Sequence, residues 1–462
     1  MASRAIDGAH RHARRALPQR QSHGTGSARC RRCIVACAAQ AGARLKDLTR
    51  AGTPAPRGIA FLLAALAALG PFAIDTYLPS FPEIGTRLEA SPLAVQQTLS
   101  AYLLPFALMT LWHGALADAL GRRRVVLVAL VAFGLASLGC AFATRIEHLW
   151  ILRGVQGISA GAGMVVSRAI VRDLFDGPPA QRLMAQITMM FAFAPALAPL
   201  IGGWLQAFFG WRSPFVFLAL LATSLTLACY RLLPETLPPE KRQSLRPSYL
   251  LSTYRRVLST PRFLYVCGAI ALNFAGFFLY VLSAPMFLMT HLGVSETGFL
   301  WLFGPSMTGL LTGSWISGRV AGHLSRPRTL AAGYGLMGFA ACGNLLLNAL
   351  LPPGLPWSVA PIFFYTCGMA LAVPTLTLYA LDPYGAQRGL AASCQTFLQA
   401  ALNGLVAAAL APLLWHSTRH LAAGMAGLLA LGALGALLHH QRVSAEAGVP
   451  PPQRSPSSPE TP

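Results

Sequence analysis

The sequence predicts an all-α integral membrane protein, with twelve membrane-spanning helices arranged as two bundles of six. Three observations carry that expectation. The first is composition: of 462 residues, 54% are hydrophobic and only 11% charged, whereas a soluble domain carries about 25% charged residues. The second is spacing. From Ile59 onward, twelve apolar segments recur, each near the roughly 20 residues that a spanning helix requires. They lie at 59–79, 93–115, 124–143, 148–171, 184–208, 211–233, 263–289, 297–318, 329–350, 357–381, 389–414 and 419–439. The third is the placement of positive charge. With the N-terminus inside, the outer loops hold only Arg87, Arg145, Arg212 and Arg419, and the remaining loop Lys and Arg fall on the inner side. Because Lys and Arg near the ends of spans stay on the cytoplasmic side, both termini are expected in the cytoplasm of a bacterial-type inner (plasma) membrane protein.

Taken in order, residues 1–57 hold twelve Lys/Arg against two acids, Asp7 and Asp47, and read as a disordered basic tail or as a start assigned too early. Residues 58–233 form the first bundle. Residues 234–262 form a cytoplasmic linker marked by Pro234, Pro238, Pro239 and Pro247, residues 263–440 the second bundle, and 441–462 a Pro/Ser-rich disordered tail. The formal charge of +21 follows membrane orientation rather than nucleic-acid binding, since no Lys/Arg cluster falls on a folded soluble segment. Six cysteines lie in apolar runs, where Cys acts as a small hydrophobe. Cys30, Cys33 and Cys37 form C-x-x-C-x-x-x-C in the tail, without the folded surround or fourth ligand that a metal site needs. No metal and no cofactor are expected.

Polar residues placed in hydrocarbon are the informative ones, because an intramembrane charge marks a functional site by default. Asp75 lies in the first segment, Arg153 and Arg168 in the fourth. Counting along the helices, Asp75 sits about 24 Å from the inner end and Arg153 about 7 Å from the outer end. In a core about 30 Å thick these depths match, so Asp75 and Arg153 are expected to pair. The alternative for Asp75 is a helix cap at the outer interface. Uncharged candidates for lining a cavity are Gln395, Gln399 and Asn403, which share one helical face, with Asn273 and Tyr280, Gln96, and the aromatic Tyr102. Such stripes also serve simply to bond neighbouring helices.

Four motifs occur together, in order. The loop Gly114-x-Leu116-x-Asp118-x-x-Gly121-Arg122-Arg123-Arg124 resembles the loop between helices 2 and 3 of major facilitator superfamily transporters. Asp75-x-Tyr77-Leu78-Pro79-x-x-Pro82 resembles helix 1 of the Bcr/CflA group of drug:proton antiporters. The fourth segment reads Arg153-Gly154-Val155-Gln156-Gly157 and, further on, Ser167-Arg168, and the fifth carries Pro195, Pro199 and Gly202, like that group's antiporter motif. The resemblance implies the major facilitator fold and alternating access. It also implies that Asp118 faces the N-terminus of helix 11, near Arg388, when the cytoplasmic side is closed. The sequence departs from the pattern at Ala119, where a basic residue commonly follows the acid.

These observations lead to an expected function: proton-coupled export of small, largely apolar drugs across the inner membrane, by a monomer driven by the proton gradient. Asp75 and Arg153 are the coupling candidates, since burial and a nearby cation act oppositely on a carboxyl's proton affinity. The alternative is transport of a specific metabolite, amino-acid or siderophore related. No clustered nucleophile, metal set or phosphate loop suggests an enzyme.

Overall fold

The structure, a computed structural model, describes residues 57–447 except Gln243. The expectations for the N-terminal tail, Cys30, Cys33 and Cys37 included, and for the last fifteen residues lie outside the described residues.

Twelve principal helices follow one another. They are α1 (Arg57–Asp75), α2 (Pro92–Leu120), α3 (Arg122–Ala141), α4 (Ile146–Leu174), α5 (Gly177–Phe209) and α6 (Ser213–Leu232), then α7 (Pro261–Leu282), α8 (Leu300–Val320), α9 (Arg326–Leu350), α10 (Ala360–Leu381), α11 (Arg388–Leu405) and α12 (Thr418–Ala447). No β-strand occurs among the described residues. Ten of the helices are long and apolar enough to cross a membrane. Among the described residues α5 contributes a shorter apolar helix, Phe193–Phe209, and in α8 Gly, Ser, Thr and Trp residues dilute the apolar run.

Local chemistry sets the breaks. Ser91 caps α2, its Oγ accepting from the amide of Ala94 at 3.2 Å, and Pro92 takes the first helical position. A single residue, Gly121, separates α2 from α3, with φ at +98°. An L side chain resists that angle, and a Cβ there would press on Glu235 Oε2. Two places differ from the sequence reading. The linker is not continuous coil: Pro247–Leu258 is an amphipathic helix. Residues 441–447, expected in the disordered tail, extend α12 instead. Two spans also end irregularly, through π-helical turns at Pro285–His291 after α7 and Val406–Leu410 after α11.

The helices within each half pack by close backbone approach at small residues, as membrane helices do. Gly157 of α4 sits against the carbonyl of Tyr102 in α2, and Gly202 of α5 against that of Thr76. In the second half, Gly309 and Gly313 of α8 rest on Phe363 and Cys367 of α10. The halves pack along α2 and α11, where Leu104 lies against Gly404, and are fastened at the end opposite the arginine-rich loop. There Gln97 of α2 donates to the carbonyl of Ala408 in the π-turn at 2.9 Å, and Gly203 of α5 rests on the carbonyl of Glu296 before α8.

Candidate functional site: a buried arginine, an unpartnered carboxyl and a two-sided cavity

The first bundle encloses a chain of polar groups. Arg153, fully buried in α4, donates through Nη1 to the Ala73 carbonyl at 3.0 Å and to Gln156 Oε1 at 2.7 Å. Gln156 Nε2 donates on to Ser137 Oγ of α3 at 2.7 Å, and Ser137 to the Phe133 carbonyl. The guanidinium carbon lies 4.3 Å from the Tyr77 ring centroid and 4.4 Å from that of Tyr102. Each such contact is worth about 2 kcal/mol when desolvated. The two rings are themselves held, Tyr77 by its hydroxyl's bond with Thr98 Oγ1 at 2.9 Å and Tyr102 by donating to the Gly70 carbonyl at 3.2 Å.

The expected pair of Asp75 with Arg153 is not formed. The reason is where α1 stops. Asp75 is its last residue, so the Ala73 carbonyl falls in the final turn, where carbonyls lack an intrahelical partner. Arg153 takes that carbonyl and the two rings, while Asp75, 3% exposed, keeps Oδ1 without a hydrogen-bond partner. Asp75 is thus neither a salt-bridge partner nor an exposed cap. Arg168 lies further along α4, half-buried, and forms no ion pair with a described residue. Pro195 and Pro199 fall inside α5, which stays helical across the motif that carries them although each proline removes a backbone N–H donor.

At the arginine-rich end, Asp118 pairs with Arg122 at 2.6 Å, and Arg122 Nε reaches Asp173 Oδ2 at 3.2 Å. The Arg122 amide donates to Glu235 Oε1 at 2.9 Å, and Thr236 Oγ1 to Asp173 Oδ2 at 2.9 Å. Arg123 donates to the Tyr230 carbonyl and stacks on its ring. The expected contact of Asp118 near Arg388 is absent. Arg388 pairs with Asp382 at 3.5 Å, as does Arg326 at 3.2 Å. Arg122 lies one helical turn from Asp118, whereas a cavity of about 680 Å³ stands between α2 and the start of α11. Gly114, Asp118 and Arg172 line that cavity on one side, Gly389 and Ser393 on the other, and the linker helix lies along it with Tyr249 and Tyr254. Tyr254 donates to the Leu111 carbonyl at 2.6 Å, and burial pushes its hydroxyl pKa up to about 12.

The uncharged candidates divide. Gln96 is buried with Nε2 unpartnered and lines a smaller cavity of about 260 Å³ at the opposite end, facing Pro285 and Trp415. On α11, Asn403 is buried with Oδ1 unpartnered, Gln399 is half-buried, and Gln395 Nε2 approaches Thr377 Oγ1 at 3.5 Å. Tyr102 serves Arg153 instead. Asn273 and Tyr280 are corrections, since both are fully buried within the second bundle. Asn273 Nδ2 donates to the Tyr334 hydroxyl at 2.8 Å, and the Tyr280 hydroxyl accepts from Asn344 at 2.7 Å. They bond helices rather than line a cavity.

Sequence reading missed Glu83, whose Oε2 accepts from Gln206 Nε2 at 2.5 Å and from the Trp211 amide at 3.0 Å, fastening the end of α5 to the turn after α1. Its signal was an acid directly after Pro82. It gave no role to Asp173, the last residue of the fourth segment's motif, or to Glu235, both of which hold Arg122.

Residues 60–408 match the Major Facilitator Superfamily. The chain belongs to that superfamily. Among curated relatives it is 36% identical over 352 residues to the MFS-type transporter YdgK of Bacillus subtilis, covering 75% of this chain and 87% of the relative. It is 29% identical to a bicyclomycin resistance protein homolog of Haemophilus influenzae (65% and 76% covered) and 28% identical to multidrug resistance protein D of Escherichia coli (75% and 86%). These relatives agree with the Bcr/CflA resemblance of its motifs. The fold is also that of the Escherichia coli xylose transporter XylE, solved in a partially occluded inward-open conformation, with a TM-score of 0.63 at 15% identity over 84% of this chain and 97% of that one. This major facilitator chain is a multi-pass membrane transporter, not an enzyme.

Proposed function

We propose that this transporter exports small, largely apolar toxic compounds by alternating access, driven by protons moving inward. The carrying observation is its two-ended geometry. The halves are fastened at one end, through Gln97 on Ala408 and Gly203 on Glu296, pack along α2 and α11 where Leu104 meets Gly404, and leave the cavity of about 680 Å³ at the other end. On this reading the arginine-rich end faces the cytoplasm of a bacterial-type inner membrane, with both termini there, since Lys and Arg concentrate on that side. The cavity would then load from the cytoplasm. Its wall offers Leu111, Leu250, Leu390, Tyr249 and Tyr254 to the apolar part of a compound, and Asp118, Arg122, Arg172 and Arg246 to a polar or charged part.

Relatives named for bicyclomycin and multidrug resistance support drugs as the cargo. Asp75 is the proposed proton carrier: a carboxyl buried without a partner at the break after α1, where the Gly202 contact with Thr76 ties α5 to the same turn. Arg153 acts there as a positioning residue that fixes the end of α1. The transporter is taken to work as a monomer without a cofactor. The test is drug accumulation in an efflux-deficient bacterium making this protein, with and without a protonophore. Lowered accumulation, restored by the protonophore, is expected. No change across a broad compound panel, with the protein verified in the membrane, overturns drug export in favour of a metabolite.

A further inference from the structure

The cavity between the halves does not present charge evenly. Its lining carries one acid, Asp118, and three arginines, Arg122, Arg172 and Arg246. Asp118 faces Arg122 at 2.6 Å. The other acids nearby do not reach the lining. Asp173 accepts from Arg122 Nε and Thr236 Oγ1, Glu235 accepts from the Arg122 amide, and Asp382 of the second bundle sits between Arg326 and Arg388. Arg172, in the last turn of α4, and Arg246, just before the linker helix, are exposed and form no ion pair among the described residues. Arg168, one turn before Arg172, is half-buried and also lacks an ion pair among them.

Arginines at the inner ends of spans also fix orientation. Arg172 and Arg246 do more, because they line the space between the halves, and a compound loading there meets them. The facing start of α11 adds only neutral groups to the lining, Gly389, Leu390 and Ser393. A guanidinium fork matches a pair of anionic oxygens through two parallel N–H bonds. A cationic compound would instead enter against positive charge that no acid in the lining offsets. Leu111, Leu250 and the exposed Tyr249 supply an apolar and aromatic surface for the rest of the molecule. At about 680 Å³ the cavity lies within the roughly 300–1,000 Å³ of small-molecule sites.

We propose that the cargo is an amphipathic organic anion, an apolar aromatic body bearing one carboxylate or sulfonate that Arg172 and Arg246 bind. The assignment rests on the reading of this cavity as the cytoplasmic loading chamber, and it gives the polar end of the cargo its sign. It is tested by isothermal titration calorimetry on the purified full-length protein in an uncharged detergent. Three compounds of one shape are compared: 2-naphthalenesulfonate, 2-naphthol and 2-naphthyltrimethylammonium. The sulfonate should bind about tenfold tighter than the naphthol, with the ammonium weakest. The double change Arg172→Gln and Arg246→Gln should remove that tenfold and leave naphthol binding as it was. Salt at about 0.5 M should do the same to the parent. Ser393→Trp, which fills the cavity from the α11 side, should abolish sulfonate binding. Gly389→Phe, at a position where a Cβ meets open space, takes its place should that variant fail to fold. Equal binding of the three compounds, or tighter binding of the ammonium, overturns the charge assignment and leaves the cavity as the loading chamber. Sulfonate binding that survives the filled cavity puts the anion elsewhere and overturns it as well. Intact, cavity-dependent anion binding in a protein that fails the accumulation test would overturn drug export alone and support an anionic cargo of another kind.

Discussion

The two bundles share one fold and use polarity in opposite ways. The first buries charge. Arg153 and Asp75 lie inside it, and Asp118, Asp173 and Glu235 gather around Arg122 at its arginine-rich end. The second bundle, among its described residues, buries no Asp, Glu, Lys or Arg. Its interior polarity is neutral: Asn273, Tyr334 and Tyr365 form one cluster, Tyr280, Asn344 and Asn348 another. At its own arginine-rich end Asp382, after α10, meets two arginines, Arg326 and Arg388, and those side chains are 40–60% exposed. Buried charge is costly in a membrane and is kept where it works, whereas neutral bonds between spans hold helices at about 0.6 kcal/mol each. On the proposed mechanism, coupling and switching fall to the first bundle and scaffolding to the second.

Substitutions can break this contrast, and the largest effect should come at the α1–α5 contact. Gly202→Leu drives a side chain into the Thr76 carbonyl. We expect a loss near the upper end of the 1–3 kcal/mol typical of overpacking, about 3 kcal/mol, and little folded protein on size-exclusion chromatography of detergent extracts. Arg122→Ala should come next. It leaves Asp118 and Asp173 without their cation, and transport rate in whole cells should fall about tenfold, a change of about 1.4 kcal/mol. The matching change in the second bundle, Arg326→Ala, removes a pair that is exposed on both sides, worth about 0–1 kcal/mol. Transport should then stay within about twofold of the parent. Equal effects of the two arginine changes would erase the proposed asymmetry. Smallest of all, Asn273→Ala should cost about 0.6 kcal/mol, seen as a small drop in thermal unfolding midpoint with drug export retained.

Much of the fold was legible because hydropathy and charge asymmetry act over whole segments, and averaging makes them robust. Twelve helices follow the twelve apolar segments, with ends shifted by local chemistry such as the Gly121 turn and the extension of α12. The site was less legible because it depends on direction as well as depth. Counting residues placed Asp75 and Arg153 at one level. It carried no information that α1 ends at Asp75 and leaves the Ala73 carbonyl for the guanidinium. Asn273 and Tyr280 were correctly placed two turns apart on α7, but spacing along one helix does not say which neighbour that face meets. Asp173 and Glu235 reach Arg122 from 51 and 113 residues away, a closure no local pattern reports. Glu83 was nearer to hand, directly after a motif proline, and was overlooked for lying past the end of the first apolar segment.

The central claim is that the carboxyl of Asp75 carries the proton. Its most direct test is proton movement in liposomes containing the purified protein, read by a pH-sensitive dye as a drug gradient is imposed, for the parent and for Asp75→Asn made to equal level. The account predicts drug-driven proton flux in the parent and none in Asp75→Asn, with drug binding retained. Undiminished flux in Asp75→Asn, with the same pH dependence, would contradict it and move the coupling site elsewhere in the protein.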